Sequence, residues 1–172
     1  MGLEIAPAKE RPDLLAPPVE AALANWSAEV AVAEIDPDLA DTAAFCEAYG
    51  QPLDESANCV VVAGRRSGET RMAACLVLAT TRADINNVVR RKMDVRKVSF
   101  AAMEDAVART GMEYGGITPV GLPAGWPIYI DAAVAATPKV VIGSGVRRSK
   151  LVVPGPTLAE LPGAEVIENL AR

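Results

Sequence analysis

The sequence predicts a single α/β (α+β) domain built on a mixed, curved β-sheet flanked by helices. Three observations carry that prediction. The chain has 172 residues, a length suited to one domain with a substantial core, and no linker or internal repeat divides it. Seven or eight short strands alternate irregularly with five or six helices, and hairpins and single crossovers both occur. The strongest strand pair, Asn58 to Ala63 and Thr70 to Ala79, is apolar on both alternating faces, as expected of a hairpin covered on either side.

Taken in order, residues 1–18 are rich in Pro and charge and read as an extended arm. Pro17-Pro18 opens a helix over Val19 to Trp26, since proline is tolerated in a first turn. Glu29 to Ile35 alternates as a strand. Asp36 to Asp41 offers caps for a helix over Thr42 to Ala48, ended by Gly50. The apolar hairpin turns at Gly64 to Glu69. A helix over Ile85 to Met93 places Ile85, Val88, Val89 and Met93 on one face, with Arg90, Arg91 and Lys92 near its C-terminal end. Val95 to Val98 is a short strand, and Ser99 caps a helix over Phe100 to Arg109, closed by Gly111. Strands follow at Trp126 to Ile130, Lys139 to Ile142 and Lys150 to Val153, with a short Ala-rich helix after Asp131. Thr157 caps a helical turn, and Glu165 to Ile167 forms a last strand.

Composition excludes several kinds of chemistry. There is no histidine, which removes Ser-His and Cys-His nucleophile pairs and the commonest proton shuttle and metal ligand. Cys46, Cys59 and Cys75 lack metal-ligand spacing and read as buried free thiols of a reducing cytosol. The apolar runs fall far short of the ~18 residues that span a bilayer, and the N-terminus lacks the basic and apolar regions of a signal peptide. A cytoplasmic protein with no membrane contact, no metal and no cofactor is the expectation. Aromatics are 4% of residues and the net charge is -5, but that charge is uneven. Residues 1–64 balance at -10, residues 65–97 at +6 and residues 98–172 at -1. The basic sector has two readings: an anion-binding face, or cations solvating exposed helix surfaces.

One stretch stands out for its backbone. Tyr114-Gly115-Gly116-Ile117-Thr118-Pro119-Val120-Gly121 is costly in chain entropy and has little side chain to pack. Such a segment is either a tight connection or a place where the backbone closely approaches a ligand with its N–H groups turned outward.

From Asn58 to the C-terminus the chain resembles the YbaK/EbsC family, free-standing relatives of the editing insertion domain of prolyl-tRNA synthetases. The resemblance rests on an ordered series: the apolar hairpin, Asp84-Ile85-Asn86-Asn87-Val88, and Arg96-Lys97-Val98-Ser99-Phe100-Ala101. It continues through Thr110-Gly111 with Gly115-Gly116-Ile117-Thr118-Pro119-Val120-Gly121, then Tyr129-Ile130-Asp131, and finally Gly143-Ser144-Gly145 with Arg147-Arg148. Residues 58–172 thus read as the editing core, with a much weaker signature over residues 1–57.

The resemblance implies a barrel-like sheet and hydrolysis in trans of the ester between a wrong amino acid and the terminal ribose of a tRNA. It places the Gly115 to Pro119 loop at the heart of the site. Backbone donors on such a loop can stabilise a developing oxyanion at ~3–4 kcal/mol each and need no histidine. Asn58, Gly115, Gly116, Thr118 and Pro119 are the candidates for the chemistry, and Asp131, Gly143, Ser144 and Gly145 for substrate binding. Asp131 reads equally as a helix cap, and Thr118 and Ser144 as partners of their own loop backbone. Arg65, Arg66, Arg90, Arg91, Lys92, Arg147 and Arg148 are candidate contacts to the tRNA acceptor end, and a synthetase is a candidate partner.

One position departs from the family. Many members carry a lysine at the start of the first hairpin strand, where this chain has Asn58, or Ala57 if the alignment slips by one. Three functions therefore stay open: a deacylase acting on mischarged tRNA, a catalytically impaired module that binds tRNA or a synthetase, and a hydrolase of some other small activated amino-acid ester.

Overall fold

The structure is a computed structural model that describes residues 2–172. Its centre is the long hairpin of β3 (Ala57–Arg66) and β4 (Glu69–Leu78), paired residue by residue from Ala57–Leu78 to Arg66–Glu69. β5 (Lys97–Phe100) is antiparallel to β3, while β6 (Ile128–Asp131) runs parallel to β4 and β9 (Ala164–Ile167) parallel to β6. These give a mixed five-stranded sheet in the order β5-β3-β4-β6-β9. A four-stranded antiparallel sheet has the order β1-β2-β8-β7, from β1 (Ile5–Pro7), β2 (Ala31–Glu34), β7 (Val140–Gly143) and β8 (Ser149–Val153). A lone parallel bridge between Ser56 and Val141 joins the two sheets. The result is a curved shell and not a closed barrel.

The apolar hairpin has both faces covered. On one side Leu76, Ile128 and Ile130 pack with Val19 and Leu23 of α1 (Pro17–Ala24) and with Ile142 and Leu151. On the other, Val62, Ala73, Cys75 and Val77 pack against Val89, Met93, Val95 and Tyr129. Each aliphatic chain buried this way contributes about 1.5–3 kcal/mol. Two thin layers, not one thick core, therefore hold the sheet.

α2 (Thr42–Tyr49) lies on the outer face of the four-stranded sheet, where Phe45 and Cys46 meet Ile35 and Val141. α4 (Met103–Thr110) ends at Gly111, whose left-handed backbone directs its N–H to the Val107 carbonyl at 3.0 Å. α3 (Arg90–Met93) and α5 (Ala132–Ala135) are single turns.

Several local expectations change. The opening is not a free arm: Ile5–Pro7 pairs with Ala31–Ala33, and two 3-10 turns follow at Ala8–Glu10 and Pro12–Leu14. Ala8, Leu14 and Leu15 are buried, and the Ser149 hydroxyl donates to the Leu14 carbonyl at 2.5 Å. Ser99 is not a cap but a residue of β5 opposite Ala63, because the free edge of β3 offers a ladder there. The helix over 85–93 begins as a π-helical turn, Ile85–Val89, with Asp84 accepting the Asn87 N–H at 3.2 Å.

Candidate active site

β3 is flanked on its outer side by two different strands. Val62–Arg65 pairs with β5, and the Ala101 N–H donates to the Val61 carbonyl at 2.9 Å. At the other end Ser56 meets Val141 of β7. Between these closures a cavity of about 560 Å³ opens, with Ala57 to Val61 in its wall.

Asn58 stands in this cavity. Its Oδ1 accepts the Thr42 hydroxyl at 2.5 Å, which leaves the side-chain amide free to donate inward. On the facing side Gly143 at the end of β7 is paired with Lys150 of β8. Asn58, Gly143 and Lys150 all line the cavity.

Lys150 was not anticipated, since it lies far from Asn58 in sequence. Leu151 and Val153 face the inner core, so the alternation of β8 turns Lys150 outward toward α2. Its Nζ donates to the Ala40 carbonyl at 2.8 Å and sits 5.2 Å from the centre of the Phe45 ring. It is 6% exposed and has no carboxylate within ion-pair distance among the described residues. Burial pushes its ammonium below the ordinary lysine value, against the opposing pull of Cys46 and Asp41 and aided by the like charge of Arg147. With one of three donors used, the ammonium is a cation equipped to hold an oxygen ligand. A lysine inside an otherwise apolar strand, Ser149-Lys150-Leu151-Val152-Val153, is the signal that could have revealed it.

The glycine segments meet each other. The Gly145 N–H donates to the Gly116 carbonyl at 2.7 Å. A Cβ on Gly116 would fall 2.7 Å from the Val146 backbone, and one on Gly143 would fall 2.6 Å from the Gly116 carbonyl oxygen. These glycines allow two backbones to touch. The Gly116 N–H is occupied by the Glu113 carbonyl at 2.9 Å, whereas those of Gly115 and Ile117, both in the cavity wall, have no backbone acceptor among the described residues.

The remaining candidates lie in varied places. Ser144 is buried, and its one hydroxyl proton has the Val146 and Ser149 carbonyls as acceptors, each at 3.1 Å. Thr118 is fully buried, and its hydroxyl has no hydrogen-bond partner among the described residues. Pro119 lines a second, separate cavity beside Trp26 and Trp126. Asp131 accepts the Leu170 N–H at 3.2 Å and so holds the C-terminal segment; burial raises its carboxyl above the usual range. Arg147 donates to the carbonyl of Tyr114, a residue of the cavity wall, at 3.3 Å and to that of Pro37 at 3.0 Å, and Arg148 donates to the Asp13 carbonyl at 2.6 Å. Arg65 and Arg66 lie at the opposite end of β3, roughly 26 Å from Asn58 at strand spacing. Arg66 pairs with Asp94 there, Lys92 pairs with Glu165, and Arg90 bonds the Asn86 carbonyl. Arg91 is exposed on the same helix. The basic residues therefore form two groups and not one ring.

Cys59 also lines the cavity, but burial and the neighbouring Cys75 push its thiol far up. It is no thiolate nucleophile.

The sequence model of the aminoacyl-tRNA editing domain matches residues 36–161. The chain belongs to the aminoacyl-tRNA editing family. That match begins upstream of Asn58 and takes in α2, whose amino end forms one cavity wall. Solved structures share the editing-domain fold. A protein provisionally assigned as a trans-editing enzyme for prolyl-tRNA synthetase is 23% identical with a TM-score of 0.74, over 89% of this chain and 94% of that one. A hypothetical protein is 21% identical with a TM-score of 0.79, over 90% and 99%. A scaffold used for computational grafting of linear epitopes is 23% identical with a TM-score of 0.75, over 89% and 95%. At these identities the likeness shows the fold. No protein of curated function matches the sequence closely enough to count as a relative. No helix of the described residues is long and apolar enough to cross a membrane.

Proposed function

We propose that the protein is a hydrolase acting in trans, removing a wrongly attached amino acid from the terminal ribose of a tRNA where tRNA is charged, in the cytoplasm. The observation that carries this reading is the convergence of the Lys150 ammonium, the Asn58 amide and the Gly115 segment on one cavity. An ester carbonyl held there meets donors aimed at the charge that develops as water attacks. The ester is already activated, so positioning and electrostatics suffice, and the neighbouring ribose hydroxyl can assist. The bond broken joins the acyl carbon to the ribose oxygen, giving free amino acid and uncharged tRNA. Lys150 supplies the cation that position 58 does not. Arg147, bonded to the wall residue Tyr114, and its neighbour Arg148 are the basic pair offered to acceptor-stem phosphates. Prolyl-tRNA synthetase is the partner suggested by the similar trans-editing protein.

The test is a panel of mischarged tRNAs, each followed for loss of amino acid with and without protein. At least one is expected to decay faster than its blank. If all decay at the blank rate while tRNA is retained in a salt-dependent mobility shift, the protein is a binding module and the hydrolase reading fails.

A further inference from the structure

The cavity exists because part of β3 has no neighbour. On its outer edge the one bridge to β7 is at Ser56 and the bonds to the β5 side begin at Val61, and Asn58, Cys59 and Val60 form no bridge on that side among the described residues. The carbonyls of Val61 and Arg65 both accept from the β5 side, at 2.9 and 3.1 Å. Backbone direction alternates along a strand, so Cys59 turns its N–H and C=O toward the same side, into the cavity. An unpaired donor and acceptor on one residue, in a gap closed at both ends, form a defined recognition site.

We infer that the α-aminoacyl group docks on Cys59 as a one-residue antiparallel strand. In a hydrogen-bonded antiparallel pair, two opposed residues exchange both N–H···O=C bonds. An aminoacyl ester carries the matching set, with the α-ammonium donating to the Cys59 carbonyl and the ester carbonyl accepting the Cys59 N–H. Both groups flank a single Cα, as they do in a strand residue. The closures at Ser56 and Val61 leave no room for a longer extended peptide, so the site selects one amino acid. Directly opposed residues point their side chains to the same face. The substrate side chain therefore lies on the Cys59 face, toward Val61, Ala106 and Ile117, which line the cavity. Asp41, exposed in the same wall, provides negative charge near the ammonium. This inference rests on the aminoacyl-ester reading and names the atoms that hold the substrate.

The probe is a non-hydrolysable 3′-alanylamido-3′-deoxyadenosine, compared with its 3′-propionylamido counterpart, which lacks the ammonium. Amide spectra of the 15N-labelled protein should show the Cys59 proton moving downfield with slowed solvent exchange on adding the alanyl probe. The propionyl probe should bind about tenfold more weakly or worse, as for loss of a charged hydrogen bond. Cys59→Pro removes the donor at an edge position where proline is tolerated, and should weaken the alanyl probe by about 10–100-fold. Cys59→Ala changes the wall but keeps the N–H, and should weaken the alanyl probe far less than Cys59→Pro does. If the probe fails to bind, or binds with the Cys59 amide unmoved, the docking inference is overturned. Should Cys59→Pro fail to fold, the wild-type amide spectrum and the propionyl comparison decide. Hydrolysis of a mischarged tRNA with an unmoved Cys59 would sink the docking alone. Docking with no hydrolysis across the panel would sink the hydrolase reading alone.

Discussion

β3 is one strand with two halves, and the halves do opposite work. From Val62 onward it is paired on both edges, and the turn end is tied by Arg66 to Asp94 and by Arg71 to the Met93 carbonyl at 3.1 Å. From Asn58 to Val60 one edge forms no bridge, and Lys150 in the same cavity wall is buried with no carboxylate at ion-pair distance among the described residues. The closed half spends its polar groups on itself. The open half leaves a donor, an acceptor and a charge unspent, an arrangement that lowers stability unless a ligand uses it.

The largest way to break that contrast is Gly116→Ala. The added Cβ would fall 2.7 Å from the Val146 backbone, which cannot swing aside as a side chain could. A loss of about 3 kcal/mol, or roughly 10 °C in Tm, is expected by thermal melting, together with loss of deacylation. The glycine is thus structural as well as placed at the site, and Gly115→Ala, which would meet the Arg147 side chain, is the milder variant.

Lys150→Met separates function from stability. Deacylation should fall by about 100-fold or more, while stability stays level or rises by about 1 kcal/mol as an uncompensated buried charge is removed. The pH dependence follows in sign. Burial lowers the folded Lys150 value below 10.5, so the unfolded chain holds that proton more tightly. Wild-type stability should then rise with pH between the folded value and 10.5, and the variant should lack that rise. A Lys150→Met enzyme with undiminished turnover would remove the cation from the chemistry.

Much of the fold was legible. The alternation of Glu29 to Ile35, the two-faced apolarity of Cys59 to Ala79 and the stop at Gly111 each record a local cause, and each element formed within a few residues of its expected bounds. The opening segment was misread because its pairing partner, Ala31–Ala33, is a tertiary contact that proline content conceals. Asn58 and the Gly115 segment are singled out as candidates by the motif series, and the structure places both in the cavity wall. Lys150 and Thr42 are not, because they come beside Asn58 only when α2, β3 and β8 meet around the cavity. The grouping of the arginines was also hidden, since sequence proximity to a turn says nothing about which end of a strand carries the cavity.

Smaller effects sharpen the same comparison. Arg147→Ala at the open half should weaken tRNA retention a few-fold and lower its salt slope by about 1. Arg66→Ala at the closed half should leave both unchanged, its exposed ion pair contributing about 0–1 kcal/mol to stability. Equal losses in a mobility-shift titration would show instead that both ends touch the nucleic acid. Thr118→Val should raise stability by about 1 kcal/mol by removing an unpaired buried hydroxyl, with deacylation unaltered. A fall in rate would give that hydroxyl a place in the reaction.

The order of strands in the smaller sheet also governs when the molecule becomes complete. β2 is held between β1 and β8, and Val32 finds its partner Leu151 roughly 120 residues away. Contacts so distant in sequence form late, because loop closure must precede them. During synthesis the hairpin with Asn58 emerges first, the Gly115 segment next, and the strand carrying Lys150 last. The hairpin is thus made before β7 closes the gap at Ser56 and before the cation arrives, and the strand that brings the cation is the one that secures the amino terminus.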